Sequence, residues 1–443
     1  MLRTSSNRPA GSAHRSSADR RHDREPDREA GARHSPGPRR IALVTHGFDI
    51  GGGVPTVARW LYAGLEALGG YQVDIHDLAT SRMDRYSRRL TAPGTWPRGS
   101  LQSTCGVRQP PHRHWGANGV ELEPLRYRPR TELTDALRGY DLVQVVAGSP
   151  AWAHIAARCA VPTVLQAATL VRWERRSQLV TQALPMRTWR GAMTRITTAI
   201  ERSALTGADA VLVENDEMLR YVRAHGQSRV VRAAPGVDTT MFCPDPGGWR
   251  RDGHLLSVCR LADPRKGLVR TVRAYAEVVR RDDRVPPLVL AGRGALPEPV
   301  RQLVAALGLT RRVTVRTDVR TAELLDLYRG ASVFLQTSYE EGLGMSVLEA
   351  MACGLPVVAT RTAGSQETVR NGVTGWLVGP PPGLAAGGDA DVVHQIADRV
   401  LGILRDPDCP LGACGRDRCL AEFSTGVALR RFTAVYDELL RPR

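Results

Sequence analysis

Lysine is almost absent from this chain of 443 residues: 60 of its 61 basic residues are arginine, and Lys266 stands alone. A sequence so biased toward Arg keeps an ammonium where a compact point charge serves better than a planar fork, which marks Lys266 as a candidate ligand contact. Aromatic residues make up 5%, too few for a stacking platform along a nucleic-acid strand. The eight cysteines (Cys105, Cys159, Cys243, Cys259, Cys353, Cys409, Cys414, Cys419) form no C-x-x-C. Cys409, Cys414 and Cys419 recur every five residues without a nearby His, a spacing that argues against a zinc site. Scattered thiols fit a reducing compartment. No early apolar run resembles a signal peptide, and the apolar stretch from Leu142 to Val171 is broken by Arg158 and Pro162. The expectation is a cytoplasmic chain without a membrane span.

What is present points to a globular protein of more than one domain. Apolar residues are 42% and charged residues 24%, enough for a sizeable core. The formal charge of +16 is unevenly placed, with ten Arg against five acids in residues 1–40. Residues 1–39 therefore read as a disordered, Arg-rich tail. No recognition motif accompanies the charge elsewhere, so nucleic acid is not an expected partner.

From residue 40 the pattern is α/β. Ile41 to Thr45 is a strand-length apolar run, followed by Gly51, Gly52 and Gly53 and a helical pattern from Thr56 to Leu68. Tyr71 to Ile75 fits the next parallel strand, which makes a right-handed βαβ unit. Further strand-length runs stand at Leu142 to Val146, Thr163 to Gln166 and Ala210 to Val213. Residues 80–135 interrupt them with Pro, Gly, Arg, Trp96 and Trp115, as a functional or a disordered insertion would. A turn-rich linker from Pro235 to Gly253 precedes a second series of strands at Leu255 to Cys259, Leu288 to Ala291, Val313 to Val315, Ser332 to Gln336 and Pro356 to Ala359. Two such domains, 40–242 and 251–422, place a ligand in the cleft between them.

The chemistry concentrates in the loop Ser338 to Gly344 (SYEEGLG), between a strand and the helix expected from Met345 to Cys353. A glycine-rich turn at a helix N-terminus, beside the carboxyl end of a parallel strand, is an anion site. Glu341 and Glu349 flank it. Carboxylates there would repel a phosphate unless sugar hydroxyls occupy them, so the pair suggests a ligand with phosphate in the middle and a sugar at each end. Arg260 and Lys266, at the facing strand end, would supply the cations. A Glu beside a helix N-terminus also has a purely structural use through the helix dipole, and glycine turns such as Gly51 to Gly53 end many strands. Trp173 and Trp189 suit either sugar stacking or, with greater weight, helix packing.

The run Glu341 to Val358 (EGLGMSVLEAMACGLPVV), continued by Ala363, Gly364, Glu367, Gly372, Thr374, Gly375, Trp376 and Leu377, resembles the signature of the family 4 retaining glycosyltransferases. Arg260, Leu261, Lys266 and Gly267, Pro235 to Asp238 with Phe242 and Pro244, and Gly51 to Gly53 extend the similarity. It implies the GT-B fold: two Rossmann-like domains face each other across a cleft, and a final helix (423–441) crosses back onto the first. It also implies a nucleotide diphosphate sugar, with UDP or GDP, as donor substrate, with no other cofactor and no metal. In that scheme Glu349 holds the ribose and Glu341 the transferred sugar. Backbone N–H groups of Gly344, Met345 and Ser346, with Arg260 and Lys266, hold the diphosphate. Gly52 and Gly53 approach it from the first domain, and the backbone near Arg316 meets the base.

The sequence departs from that pattern in places. The Arg-to-Lys spacing is six residues where five is usual, so Arg265 competes with Lys266; the single-lysine argument favours Lys266. Ala168 stands where a His near the sugar is common, and Gln144 and Val146 replace further His positions. The acceptor hydroxyl is left open among small metabolites, polysaccharides and lipid-linked sugars. The basic segments, from residue 80 to 135 and from Arg172 to Arg202, favour an anionic acceptor or a position at the inner membrane surface. A catalytically silent nucleotide-sugar-binding protein and a sugar-nucleotide epimerase are the alternatives.

Overall fold

The computed structural model describes residues 37–48, 52–81, 83–96, 102–105, 110–175, 184–380 and 389–441, with backbone alone at 102–105 and 184–185. Residues 1–36 of the expected tail, and Gly51, lie outside the described residues.

The first sheet comprises β1 (Arg39–His46), β2 (Tyr71–Leu78), β3 (Gln102–Cys105), β4 (His112–Trp115), β5 (Leu142–Ala147), β6 (Thr163–Ala167), β7 (Ala210–Val213) and β8 (Val230–Arg232), in the order β3-β4-β2-β1-β5-β6-β7-β8. All neighbours are parallel except β3 and β4. The helices are α1 (Gly53–Ala67), α2 (Glu123–Arg126), α3 (Thr131–Leu137), α4 (Val171–Glu174), α5 (Leu184–Gly207) and α6 (Asp216–Ala224). Strands such as β5 (LVQVVA) and β7 (AVLV) are buried along their whole length, as expected where helices cover both faces of a parallel sheet.

The second sheet comprises β9 (His254–Arg260), β10 (Leu288–Arg293), β11 (Val313–Thr317), β12 (Ala331–Gln336), β13 (Val357–Thr360) and β14 (Trp376–Val378), ordered β11-β10-β9-β12-β13-β14 and wholly parallel. It carries α7 (Leu268–Arg281), α8 (Glu298–Ala306), α9 (Thr321–Arg329), α10 (Met345–Ala352), α11 (Ala363–Thr368), α12 (Asp389–Arg405) and α13 (Leu411–Arg418). The last helix, α14 (Thr425–Leu439), buries Leu429, Phe432, Val435 and Tyr436 against Ile41, Leu43, Leu61 and Leu65 of the first sheet's core. Tyr436 also donates to Gln144 Oε1 at 2.7 Å. That bond satisfies a polar side chain in the middle of β5, so Gln144 anchors the crossing helix rather than facing a ligand.

Strand order decides where a ligand can enter. In the first sheet β1 pairs with both β2 and β5, and in the second β9 pairs with both β10 and β12. At each of these switch points the connections leave in opposite directions and open a crevice at the strands' carboxyl ends.

Residues 80–135 contain regular structure that their composition did not announce. β4 extends the first sheet beside β2, and β3 covers its edge. His114 holds the extension in place: its Nδ1 lies 2.7 Å from Asp77 Oδ2 and its Nε2 3.0 Å from Asp84 Oδ1. Burial alone would lower the pKa of His114, but hydrogen bonds to both carboxylates raise it to about 10. With an acceptor at each nitrogen, the ring carries both protons. Nearby His76 is the opposite case. Trp115 Nε1 donates to its Nδ1 at 3.0 Å, and its Nε2 meets the Tyr140 hydroxyl, which itself donates to Asp74. Burial, chiefly, lowers the pKa of His76 to about 4, leaving it neutral.

Because the folded-state pKa of His114 lies above the ordinary histidine value, its contribution to stability is complete below pH about 6.5 and disappears as pH rises through about 10. The expected outcome is a melting temperature that falls across that window in the wild type, with His114→Asn less stable at pH 6.5 and no longer showing the slope. Thermal denaturation at a series of pH values measures both.

Candidate functional site

The two crevices open into one cavity of about 510 Å³. From the first half it is lined by His46, the last residue of β1, by Gly148, directly after β5, by Gly53 at the start of α1, and by Gln166, Thr169, Glu174 and Glu214. The second half contributes Arg260, Arg265, Lys266, Glu341, Gly344, Met345, Ser346 and Glu349. Eight of the expected site residues are therefore brought together: Gly53, Arg260, Lys266, Glu341, Gly344, Met345, Ser346 and Glu349. Gly52 immediately precedes α1 beside them. Arg316 is not brought to the cavity; it is exposed on β11, the edge strand of the second sheet. Trp173 packs edge-on against Tyr221 at 5.8 Å, and Trp189 is exposed on α5, so neither forms part of the cavity wall.

The centre of the second half is the Glu341 carboxylate. Its Oε2 accepts from Lys266 Nζ at 2.7 Å, Ser338 Oγ at 3.2 Å and Gln336 Nε2 at 3.4 Å. Two positive-φ glycines make this possible. Gly267 (φ 67°) ends the Lys266 turn so close to β12 that a Cβ there would sit 2.2 Å from the Thr337 carbonyl oxygen. Gly344 (φ 89°) leads into α10 with its side-chain position 2.9 Å from Gln336 Nε2. An L-residue is strained at either angle and blocked by these neighbours. Beyond Gly344, Met345 and Ser346 open α10 and line the cavity, and the first N–H groups of a helix have no partner within it.

Arg265 and Lys266 divide their work. Arg265 binds Asp263 (2.9 Å) and reaches across the cleft to Glu174 (3.1 Å). Lys266 remains at the cavity with Glu341, and Arg260, more than half exposed, pairs with Asp263 at 2.8 Å. Thr169 Oγ1 to Glu340 (3.0 Å) and Asn215 Nδ2 to the Gly342 carbonyl (2.7 Å) also join the two halves.

Glu349 lies on α10, and the Tyr328 hydroxyl donates to its Oε2 at 2.7 Å. Desolvation raises its pKa to about 7, against the opposing effect of the Tyr328 bond. Glu214 is raised to about 7 in the same way, by burial first, with Glu341 adding repulsion and Gln166 opposing. Sequence reasoning missed Tyr328, Gln336, Ser338, Gln166 and Glu214. The two last carried a readable sign: Gln166 follows the apolar Val164 and Leu165 in β6, and Glu214 directly follows the wholly apolar β7.

A family model described as "Glycosyl transferases group 1" matches residues 252–406. An alpha-maltose-1-phosphate synthase of Mycolicibacterium smegmatis is 30% identical over 270 residues, 54% of this chain and 67% of that protein. The chain belongs to the group 1 glycosyl transferases. A GDP-mannose-dependent alpha-(1-6)-phosphatidylinositol monomannoside mannosyltransferase of Mycobacterium tuberculosis is 32% identical over 252 residues, 52% of this chain. The matched region spans about three-fifths (62%) of that mannosyltransferase. Among solved structures, a sucrose-phosphate synthase from Thermosynechococcus elongatus superposes with a TM-score of 0.65 at 23% identity, covering 90% of this chain and 99% of the other. HepE from Anabaena, solved with UDP-glucose, gives a TM-score of 0.65 at 16% identity over 90% and 100%. These likenesses show that this group 1 glycosyl transferase has the GT-B fold.

Tyr328→Phe removes a hydrogen bond to a buried carboxyl group and is expected to lower the unfolding free energy by about 1 to 3 kcal/mol. Urea denaturation measures it; an unchanged midpoint would mean that Glu349 is held without that bond.

Proposed function

We propose that the protein is a retaining glycosyltransferase of the family 4 type, moving a sugar from a nucleotide diphosphate sugar, with UDP or GDP, to an acceptor hydroxyl. The observation that carries this reading is the convergence of Glu341, Glu349, Lys266 and the α10 N-terminus on one cavity between two switch points. In this reading Glu349 takes the ribose and Glu341 the transferred sugar. Lys266, Arg260 and the N–H groups of Gly344, Met345 and Ser346 take the diphosphate, with Gly52 and Gly53 opposite. The base is open between the two: the mannosyltransferase relative depends on GDP-mannose, and HepE was solved with UDP-glucose.

In this mechanism the bond from the anomeric carbon to the phosphate oxygen breaks as the acceptor oxygen bonds to the same face of that carbon. The acceptor's proton passes to the leaving diphosphate. Lys266, Arg260 and the positive end of α10 stabilise the charge that develops there, and the chemistry asks for no metal. The first half of the cavity is left for the acceptor. His46 stacks on Trp152 at 4.6 Å, Tyr127 meets Trp152 edge-on at 4.9 Å, and Glu123 forms an ion pair with Arg175. Apolar ring faces beside paired charges suit a polyhydroxylated acceptor with an anionic group.

Calorimetric titration with a panel of nucleotide sugars tests the donor site. One donor is expected to bind, and Lys266→Ala and Glu349→Ala are each expected to weaken it roughly ten- to a hundred-fold. If no donor binds, or if neither substitution matters, the reading fails. Product analysis with bound donor separates transfer from the two alternatives: a silent binding protein gives no product, and an epimerase gives an isomerised donor without acceptor.

A position against an anionic membrane is the second part of the proposal. No helix among the described residues is long and apolar enough to cross a membrane. α5 presents Met186, Trp189 and Ile196 at 50%, 54% and 44% exposure, at spacings that place them along one side of the helix. Arg187, Arg190 and Arg195 share the helix, and no acid precedes Glu201. That combination suits an interfacial helix. Wild type is expected to sediment with phosphatidylglycerol vesicles and to be released by salt, and Trp189→Ser with Ile196→Ser to stay in solution. Equal sedimentation of both would remove α5 from the contact.

A further inference from the structure

Gln166 and Glu214 sit on the first half's side of the cleft, with Glu214 close to Gly342 of the second half. They line the first half of the cavity, at 1% and 5% exposure, and Gln166 Nε2 lies 3.3 Å from Glu214 Oε1. Gln166 Oε1 has no hydrogen-bond partner although it is buried. Leaving such an atom unpaired costs about as much as a lost hydrogen bond, and because Gln166 lines the cavity, a ligand hydroxyl drawn against this side chain can supply the missing donor.

Their neighbours identify that ligand's position. A Cβ on Gly342 would lie 3.3 Å from Glu214 Oε2 and 2.7 Å from the Ala168 carbonyl oxygen. Glu214 therefore adjoins the residue directly after Glu341, on the opposite wall. Gln166 lies in β6 and Ala168 directly follows that strand, and both line the cavity. The methyl group of Ala168 offers no hydrogen bond, whereas the Gln166 amide can make one.

We propose that Gln166 and Glu214 are the first domain's contacts to the transferred sugar, gripping one of its hydroxyl groups from the side opposite Glu341. The hydroxyl donates its one proton to Gln166 Oε1 and accepts from the protonated Glu214 carboxyl group. A sugar hydroxyl has one donor and two acceptor sites, so a neighbouring amide and carboxyl group can both bind it. The pair then discriminates between donors that share a nucleotide and differ in the orientation of that hydroxyl. Sites that hydrogen-bond a substrate hydroxyl discriminate strongly, because the wrong partner leaves buried groups unpaired. This inference rests on the donor reading above.

The test compares affinities for the nucleotide sugar that binds wild type best, for the matching nucleoside diphosphate, and for its single deoxy-sugar analogues. Gln166→Leu and Glu214→Ala are each expected to weaken the nucleotide sugar at least ten-fold and to change nucleoside diphosphate binding less than two-fold. Glu214→Gln, which keeps shape and hydrogen bonding, should restore most of the loss. One deoxy analogue should bind wild type and both truncated variants with similar affinity. Equal loss of nucleotide sugar and nucleoside diphosphate would mean damage to the fold of the cleft and would overturn the inference. So would unchanged donor binding in all variants. A wild type that binds nucleoside diphosphate but gains nothing from any sugar also overturns it while leaving the nucleotide site standing; one that binds no nucleotide sugar or nucleoside diphosphate overturns the donor reading itself.

Discussion

The organisation of the cleft hangs on one ion pair. Lys266 follows β9 and Glu341 follows β12, the two strands that flank the second sheet's switch point, and their side chains meet at 2.7 Å. Neither turn could bring them there with ordinary residues, since Gly267 and Gly344 both adopt left-handed angles under close neighbours. The pair also fixes the start of α10, because Glu341 takes further bonds from Gln336 and Ser338 on the strand side of the loop. The helix N-terminus, its free N–H groups and Glu349 one turn later are positioned as a consequence. A phosphate entering here meets an ammonium that already has a partner close by, so binding redistributes an existing charge contact instead of neutralising an isolated cation.

The rest of the cavity shows how carboxyl groups are tolerated at such density. Glu341 has Lys266, and Glu174 has Arg265. Glu214 and Glu349 have no cation. Burial moves both toward the neutral form, with pKa values of about 7, and each keeps one hydrogen bond from a neutral side chain. Carboxylates paired with cations thus stand beside carboxyl groups that are partly protonated near neutral pH, which limits their mutual repulsion. For sugar recognition this gives two kinds of contact: paired carboxylates that accept, and carboxyl groups whose protonated form can donate as well.

Most of the architecture could be read from the sequence because parallel strands buried on both faces leave a strong local signal. The runs at Ala210 to Val213 and Leu288 to Ala291 stand within two residues of the observed β7 and β10. The loop chemistry around Glu341 was legible for a similar reason: glycines, a strand end and a helix start follow one another within a few residues. The extension at residues 80–135 was not, because β3 and β4 are only four residues long and their support is non-local. His114 gains its role from Asp77, 37 residues earlier, and Asp84, 30 residues earlier. Tyr328 and Gln166 escaped notice for the same cause, since the strand order alone brings them to Glu349 and Glu214. Arg316, a position carried over from similar proteins for the backbone that meets the base, lies on an edge strand and does not line the cavity.

The division between Arg265 and Lys266 explains why one lysine persists among sixty arginines. Arg265 binds two carboxylates in different directions, Asp263 beside it and Glu174 across the cleft, as the spread donors of a guanidinium allow. Lys266 has a narrower task. Its side chain is 17% exposed, and the ammonium sits against one carboxylate oxygen that also receives Ser338 and Gln336. A planar fork at that point would compete with those donors for the same oxygen and extend further into the cavity. The spacing of six residues after Arg260 therefore adds one residue to the turn and, with it, a bridging arginine, while the compact cation keeps its place at the anion site.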